Sequence, residues 1–419
     1  SYETEKLFYQ VLNLLISESN CHREHNIQMI KKGNVFDTLL KMLQEMFMQT
    51  NECPKISKES CEMLLNFIRN IIGIPPDFSY FSEIFDCTLL LHKPNLAYIN
   101  VSKRSFYYFF PSEINIQTST IAHPNTTKNI EPEEWVIISE NISEKEKNQR
   151  DNRYDEDVQD IIVGGFISYF GDVIENIRED LLDNIIGPVI KLEYFIILAN
   201  NKSYCVRESI FKFLANCLFR CKDKELVKLF IKNRGLNLLS NQFHNYPSST
   251  KLLETCFGLI LNSRSIILSD FCLTFEDLQF NDIQMNSLTI LFALLPQCVM
   301  KTELCHNALV YLNKILKATD VQTLKILFEN GIIESLTKIL LNWNGQDNDG
   351  YEGDSINHDV YNCLRTLTKK FFFSNSQNYQ TYLNILQFYS VMERKIILKK
   401  TILRICQIIV FETALDEIE

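Results

Sequence analysis

The chain has 419 residues, of which 46% are hydrophobic, so it is long enough to bury a large apolar core. It contains only 12 glycines and 10 prolines, which is too few for a protein of many strands and turns and compatible with a chain of helices. The net charge of −10 and the lack of a basic stripe in the sequence disfavour nucleic-acid binding.

The first helical pattern lies on both sides of a glycine near the start of the chain. The segment QMIKKGNVFDTLLKML, residues 28–43, places apolar residues at helical spacing before and after Gly33. Another apolar-periodic segment precedes it from Phe8, and a longer one follows from Glu59. A glycine between two such runs predicts a sharp turn between helices, because glycine adopts backbone angles that other residues avoid.

The chain then changes character. Residues 97–110, AYINVSKRSFYYFF, are rich in β-branched and aromatic residues and predict either a short strand pair or a buried aromatic helix. Residues 131–160 contain 11 acidic and 4 basic residues. We therefore predict a solvated, mobile acidic linker or loop over residues 112–157; the alternative is an acidic docking segment for a basic partner.

The glycine corner recurs in the second half of the chain. Apolar-periodic runs flank Gly235 in LVKLFIKNRGLNLLSNQF and Gly331 in TLKILFENGIIESLTKILLN. Each corner is again preceded by one helical segment and followed by a long one. The two glycines are 96 residues apart, about two repeats of the roughly 40 to 47 residues typical of armadillo and HEAT proteins. In this pattern the chain resembles the armadillo family.

This resemblance implies an all-α fold, an armadillo/HEAT-like right-handed α-solenoid with one long acidic loop. The expected divisions are N-terminal repeats over residues 1–111, the linker over 112–157, and C-terminal repeats over 158–419. If the three glycines have the same role with positive φ, replacing Gly33, Gly235 or Gly331 with valine should cost about 1 to 3 kcal/mol each. Replacing Gly164, which lies outside the repeat pattern, should matter less.

The residues that carry chemistry form no recognisable site. Thirteen cysteines are scattered without a CxxC pair, and several lie on apolar helix faces, as expected of thiols that pack as small hydrophobic groups. Cys217 and Cys221, one helical turn apart, could share a metal, but a closed zinc site needs four ligands. No motif for a catalytic nucleophile, a metalloprotease or phosphate binding is present in the sequence. We expect no enzymatic activity, no cofactor and no metal.

A more specific resemblance covers about half of the chain. Residues 227–261, VKLFIKNRGLNLLSNQFHNYPSSTKLLETCFGLIL, are similar to the helical region that precedes the conserved modules of BEACH-domain proteins, of the lysosomal trafficking regulator type. CVRESIFKFLANCL, CHNALVYLNKIL and MERKIILKKTILRICQII have a similar pattern. The resemblance implies a cytoplasmic scaffold in vesicle or lysosome traffic. The start at Ser1, without a methionine, favours a fragment of a larger protein.

We therefore expect a non-enzymatic scaffold that binds other proteins through an extended peptide or a helical segment. It should be cytoplasmic or peripheral to endolysosomal membranes, with no transmembrane segment and with membrane contact only through its partners. The alternative is an armadillo-type adaptor for nuclear transport, adhesion or signalling that binds extended peptides in a concave groove. Such adaptors present asparagines on their concave helices, and the candidates here are Asn66, Asn216, Asn262 and Asn313.

Overall fold

The computed structural model describes residues 2–48, 56–92, 99–102, 105–108, 158–221, 224–244, 246–270, 274–342, 354–372 and 380. The chain divides into two compact units, Ser1–Arg220 and Cys221–Glu419. The acidic linker predicted over residues 112–157 lies outside the described residues. The division of the chain at that linker therefore stays a prediction.

The first unit is built from helices of very different length. They are α1 (Tyr2–Leu15), α2 (Arg23–Lys32), α3 (Val35–Met48), α4 (Lys58–Ile72), α5 (Phe78–Leu91), α6 (Val158–Asn176), α7 (Glu179–Leu182), α8 (Tyr194–Leu198) and α9 (Tyr204–Cys221). Helix α9 ends on the first residue of the second unit.

Between α5 and α6 the structure has a pair of short strands, β1 (Ile99–Ser102) and β2 (Ser105–Tyr108). They pair antiparallel, with Ile99 opposite Tyr108 and Ser102 opposite Ser105. Of the two conformations that the sequence left open for residues 97–110, the structure has the strand pair. Its β-branched and aromatic residues are those that strands prefer.

In its described residues the second unit continues with helices alone, apart from one isolated bridge between Leu278 and Thr319. They are α10 (Glu225–Lys232), α11 (Gly235–Phe243), α12 (Thr250–Leu261), α13 (Asp282–Leu294), a 3₁₀ turn (Leu295–Cys298), α14 (Thr302–Ala318), α15 (Val321–Glu329), α16 (Ile332–Asn342), α17 (Asp354–Leu367) and a π-helical turn (Thr368–Phe372).

The predicted repeat is present as a helical pattern. A short helix, a corner, a second helix and a longer third helix follow one another in α2–α3–α4, in α10–α11–α12 and in α15–α16–α17. Helices α1, α9 and α14 precede these three groups in the position of a third helix. The described residues are thus nearly all helical, with an armadillo-like repeat. We refer to α1, α4, α6, α9, α12, α14 and α17 as the third helices.

Polar caps explain where several of these helices begin. The hydroxyl of Ser57 accepts the backbone N–H of Ser60 at 3.1 Å at the start of α4. Ser249 caps α12 in the same way, and the carboxylate of Asp320 accepts the N–H of Thr323 at 2.7 Å at the start of α15. Such side chains satisfy N–H groups that the first helical turn leaves without a partner.

Buried aromatic rings hold the first unit together. Phe170 on α6 lies 5.0 Å from Phe81 and 5.3 Å from Phe85 of α5, measured between ring centroids. Phe213 on α9 lies 6.0 Å from Phe170 and 4.8 Å from Phe195. Each such pair stabilises the fold by about 0.5 to 1.5 kcal/mol beyond its burial. The core therefore lies between α5, α6, α8 and α9.

The three glycine corners differ in their backbone, which corrects the expectation that they share one role. Gly331 has a φ of +91°, in the region that glycine tolerates best. At the first corner Gly33 has an ordinary φ of −83°, and the positive φ of 51° belongs to Asn34. At the second corner the positive φ of 58° belongs to Arg234.

Gly235 is instead required by packing. A Cβ atom at this position would lie 2.3 Å from Cε2 of the Phe230 ring, and real Cβ atoms do not approach a neighbour so closely. Phe230 is itself buried, with 2% of its surface exposed, so the ring has little room to move.

Gly164 also departs from expectation. It lies inside α6, where a Cβ atom would meet the Sγ of Cys205 at 3.0 Å and the backbone of Cys205 and Val206 at 3.6 Å. A side chain at Gly164 would therefore press against α9, although we expected its replacement to matter less than that of the corner glycines. This glycine permits the close approach of α6 and α9, which the repeat pattern does not reveal.

Candidate functional site: the third helices

Helices α14 and α17 run parallel and are joined along their length by polar contacts. The Nδ1 atom of His306 lies 2.5 Å from Oδ2 of Asp359, and the hydroxyl of Thr366 donates to Oδ1 of Asn313 at 2.8 Å. Each pair is 53 residues apart in the sequence. A constant offset along two helices shows that they have the same direction and a fixed register.

A lysine closes this contact at the carboxyl end of α14. The Nζ atom of Lys370 donates to the carbonyls of Leu316 at 3.4 Å and Thr319 at 3.2 Å, and also to that of Lys317. The last carbonyls of a helix have no partner within it, and they carry the negative end of the helix dipole. Lys370, which follows the next third helix, donates to these carbonyls and also places a positive charge at the negative end of the dipole.

The first unit repeats this arrangement with an arginine. Arg220 of α9 donates through Nη1 to the carbonyls of Ile174 at 3.2 Å and Glu175 at 2.6 Å. Its Nη2 donates to the carbonyl of Ile177 at 2.6 Å, just beyond the end of α6. Arg220 and Lys370 thus have the same role in the two units. Both cations lie at the carboxyl end of their own helical segment.

Helices α4 and α6 are joined in the same parallel sense. Arg69 donates through Nη2 to the carbonyl of Gly165 at 3.0 Å, and the hydroxyl of Tyr169 donates to the carbonyl of Gly73 at 2.9 Å. Both pairs are 96 residues apart. This step is longer than the 53 residues between α14 and α17, and it includes β1, β2 and the segment of residues 112–157.

Burial governs the electrostatics of these contacts. Desolvation raises the pKa of Asp359, and the hydrogen bond from His306 opposes that rise. In the first unit, burial lowers the pKa of His92 to about 4, and its bond to the carbonyl of Leu198 at 2.9 Å offsets this only in part. His92 is therefore a neutral donor through Nε2 at physiological pH.

Burial also keeps four cysteine thiols protonated. Desolvation is the first cause that raises the pKa of Cys61 to about 12 and of Cys87 to about 11, and it also raises those of Cys256 and Cys363. A thiol held protonated is a poor nucleophile and a poor metal ligand. Among the described residues, no group of three or more His, Cys, Asp or Glu residues could hold a metal ion. Cys217 and Cys221 are both buried.

The carboxyl-terminal part of α14 and the corresponding part of the α17 segment carry basic side chains. Lys317, Arg365 and Lys369 are exposed, whereas Asn313, Lys314 and Asn362 are half-buried. We call these residues the basic third-helix patch: Asn313, Lys314, Lys317, Asn362, Arg365 and Lys369. None of the apolar side chains described on α14 and α17 is among the exposed large hydrophobic residues.

The four candidate asparagines lie in four different environments. Asn66 is exposed on α4, and Asn313 is half-buried on α14, bonded to Thr366. Asn216 is buried, and its Nδ2 donates to the carbonyl of Gly171 at 3.0 Å. Asn262 has a left-handed backbone, φ 52°, at the end of α12. A surface role for Asn216 is therefore wrong, since its amide joins α9 to α6. For the other three asparagines the concave-surface role stays a prediction.

Sequence reasoning missed Arg220, Lys370 and the His306–Asp359 pair. The first two carry a detectable signal, because each is a basic residue at the carboxyl end of a long helical segment, where cations are favoured. The His306–Asp359 pair carries no local signal, since its two residues are joined only by the register of two distant helices.

The fold and this surface define a helical-repeat protein with an armadillo-like pattern. No family model matches the chain. Within the described residues, no helix is long and apolar enough to cross a membrane.

Two curated relatives share part of the sequence. The lysosomal-trafficking regulator of Homo sapiens is 27% identical over 187 residues, which cover 43% of this chain and 5% of that protein. The lysosomal-trafficking regulator of Drosophila melanogaster is 21% identical over 122 residues, which cover 29% of this chain and 4% of that protein. The similarity thus spans a small fraction of the length of both relatives.

Solved structures give weak matches. The designed armadillo repeat protein YIII(Dq)4CqI is 12% identical, covers 62% of this chain and 97% of its own, and has a TM-score of 0.22. Another engineered protein is 11% identical, covers 98% and 96%, and has a TM-score of 0.20. Scores this low carry no argument, so the armadillo-like assignment rests on the repeated helices themselves.

Proposed function

We propose that this chain is a non-enzymatic protein–protein interaction scaffold that acts in vesicle or lysosome trafficking. The observation that carries the proposal is the pair of parallel third helices α14 and α17, held in fixed register by contacts such as Asn313 with Thr366. A rigid helical surface binds a partner without having to order itself first. The partial similarity to two lysosomal-trafficking regulators supports the cellular role.

In this proposal the repeats stack into the right-handed solenoid that the sequence predicts, with residues 112–157 as its acidic loop. The protein is cytoplasmic or peripheral to endolysosomal membranes, and it meets membranes only through its partners. The partner contributes an extended peptide or a helical segment, and nucleic acid is not a ligand.

The test compares the partners of the parent chain with those of two charge-reversed variants in cells. The patch variant carries Lys317→Glu, Arg365→Glu and Lys369→Glu. Its control carries Lys228→Glu, Lys232→Glu and Lys338→Glu, which are exposed on the first and second helices of the same unit. Both variants should keep the parent's circular dichroism spectrum and thermal midpoint.

Proximity labelling should recover endolysosomal and vesicle proteins with the parent and the control, and lose some of them with the patch variant. Identical partner lists for all three proteins would show that the third helices do not form the binding surface. A partner list without vesicle or lysosome proteins would refute the trafficking role.

The second candidate is a peptide-binding adaptor in nuclear transport, adhesion or signalling. It is favoured by Asn313, which lies on a third helix with its amide oxygen bonded to Thr366, so that a ligand would meet the Nδ2 donor. The same labelling experiment separates the two candidates. Enrichment of nuclear-pore or cell-junction proteins in place of endolysosomal ones would favour the adaptor.

A further inference from the structure

Helix α1 exposes a row of large apolar side chains. Five of them are between 39% and 66% exposed: Leu7, Phe8, Val11, Leu14 and Leu15. We call these five residues the α1 stripe. No charged residue lies between Leu7 and Leu15 in the sequence. Apolar surfaces that are continuous in this way mark places where a protein meets another protein.

The opposite side of α1 is the one that packs into the fold. There the amide of Asn13 donates to the carbonyl of Met63 on α4 at 2.8 Å. Tyr9 and Ile16 lie on the same side as Asn13 at helical spacing, and they are only 2% and 1% exposed. Helix α1 is therefore apolar on two opposite sides, and a helix of that kind is normally covered on both.

Helix α4 shows what such coverage looks like. It contacts α1 through Met63, and it contacts α6 through Arg69, which donates to the carbonyl of Gly165. Its large apolar residues are buried: Leu64, Leu65, Phe67, Ile68, Ile71 and Ile72. Among the third-helix residues whose burial is described, large apolar side chains are exposed on α1 alone. The α1 stripe is thus the stacking side of a third helix without a neighbour on it.

We propose that the α1 stripe joins two copies of this chain about a two-fold axis. The stripe is symmetric about Val11, since Phe8 and Leu14 lie three residues away on either side and Leu7 and Leu15 lie four residues away. When two α1 helices pack antiparallel with their Val11 residues opposite each other, Phe8 meets Leu14 of the second copy and Leu7 meets Leu15. A two-fold contact requires a surface that complements itself in this way.

The charges of α1 favour a protein contact over a membrane surface. Helices that lie on anionic bilayers carry lysines and arginines beside their apolar side. Helix α1 has two acidic residues, Glu3 and Glu5, and one basic residue, Lys6, which pairs with Glu59 of α4. An anionic lipid surface would therefore not be attracted to this helix.

Sedimentation equilibrium of the full chain measures the association. Between about 1 and 100 µM, the mean mass should rise from that of one chain toward that of two. The dissociation constant should change little between about 50 and 300 mM salt, because the stripe carries no charge to screen. The mass of one chain throughout this range would refute the proposal and leave the stripe to a different protein. Neither result would alter the partner lists in cells, so the scaffold proposal is tested separately.

Paired substitutions locate the contact. Leu7→Glu with Leu14→Glu should weaken self-association at least about tenfold, because the contact would bury carboxylates without partners. The matched control is Leu226→Glu with Leu229→Glu, which places the same charges on leucines of α10 that are 45% and 47% exposed. The control should keep the dissociation constant of the parent. Both variants should keep its circular dichroism spectrum, since the replaced side chains are exposed. Equal weakening in the two variants, or none in the first, would overturn the proposal.

Cysteine cross-linking gives the direction of the pairing. The background is Cys21→Ser, which removes an exposed thiol. In this background, Val11→Cys should form a covalent dimer on mild oxidation with diamide, because the two-fold axis passes between the two Val11 positions. Glu3→Cys is the control on the same helix. Its two thiols would lie about 24 Å apart in an antiparallel pair, so it should stay a single chain on non-reducing gels. Cross-linking of both variants to the same extent, or of neither, would overturn the two-fold antiparallel contact.

Discussion

The two units join their third helices in the same way and differ in what those helices expose. In the first unit Arg220 bonds the last carbonyls of α6, and in the second Lys370 bonds those of α14. Helix α4 exposes Glu59 and Glu62 beside Lys58, whereas the carboxyl-terminal parts of α14 and of the α17 segment expose Lys317, Arg365 and Lys369. The comparison shows that contacts between neighbouring third helices set the register of those helices. The exposed residues take no part in these contacts, so they can differ between the units and determine what each unit binds.

The glycine corners show a second difference between the units. In the first unit Gly33 has an ordinary backbone, and in the second Gly235 and Gly331 are required for two different reasons, packing and backbone. Substitutions at the corners and helix ends should separate the two units, with the largest effect at Gly235.

Gly235→Ala should destabilise the second unit by about 3 kcal/mol, because the new Cβ would overlap the buried ring of Phe230. Gly33→Ala is the matched control in the first unit. Its Cβ would lie 3.2 Å from the carbonyl oxygen of Met29 with an ordinary φ, so the loss should stay below about 1 kcal/mol. Urea unfolding, monitored by circular dichroism, gives the free energy of unfolding of both variants. Equal losses would remove the distinction between the two corners.

Arg220→Met and Lys370→Met should each cost about 2 kcal/mol, because carbonyls at a helix end lose hydrogen bonds from a charged group. Hydrogen exchange followed by mass spectrometry should show faster exchange near the end of α6 for Arg220→Met and near the end of α14 for Lys370→Met.

Lys212→Met is the control for these cation variants. Lys212 is exposed and lies 3.7 Å from Asp172 and 3.9 Å from Glu175, a surface pairing worth less than about 1 kcal/mol. If Lys212→Met loses as much free energy of unfolding as Arg220→Met, the hydrogen bonds to the helix end stabilise the fold no more than a surface ion pair does.

Gly331→Ala should cost about 1 to 2 kcal/mol through its positive φ alone, because the space around its Cβ is otherwise open up to Glu334 at 3.4 Å. Gly331→Asn should recover part of this loss, since asparagine tolerates left-handed angles better than alanine. Thermal midpoints of the two variants measure the difference. Equal midpoints would show that backbone strain does not determine this corner.

The buried histidine of the first unit should make that unit sensitive to acid. The pKa of His92 is lowered to about 4 in the fold, so only the unfolded chain takes up this proton as the pH falls below about 6.5. Stability should therefore decrease by about 1 kcal/mol per pH unit from pH 6.5 toward 4. His92→Gln keeps a donor for the carbonyl of Leu198 and should flatten the profile.

The exposed residue His25, changed to Gln, is the control for the acid prediction. Hydrogen exchange at several pH values places the effect within the chain. Protection factors, which correct for the slower intrinsic exchange of amides at low pH, should fall first in α5 and α8, beside His92. An unchanged pH profile in His92→Gln would show that another group causes the sensitivity.

The sequence by itself determined the helices on both sides of the three glycines, the position of the three corners and the order of short, second and third helix. These features depend on local signals, because apolar spacing and a glycine act over one or two turns of chain. It did not determine which residue at a corner takes the positive φ. Asn34 and Arg234 do so next to Gly33 and Gly235, since the direction of the following helix is set by what it packs against.

The tertiary structure alone decided the partners of the third helices. Asparagine is usually found at the protein surface, but Asn216 is buried. Its amide packs against α6 and donates a hydrogen bond to the carbonyl of Gly171. His306 meets Asp359 across 53 residues, an offset that no local pattern encodes. Gly164 lies where α6 and α9 pack closely, so that a side chain there would meet Cys205 of α9. The register between helices that are distant in sequence is fixed by the packing of their whole faces. That register in turn decides which side chains meet at the surface.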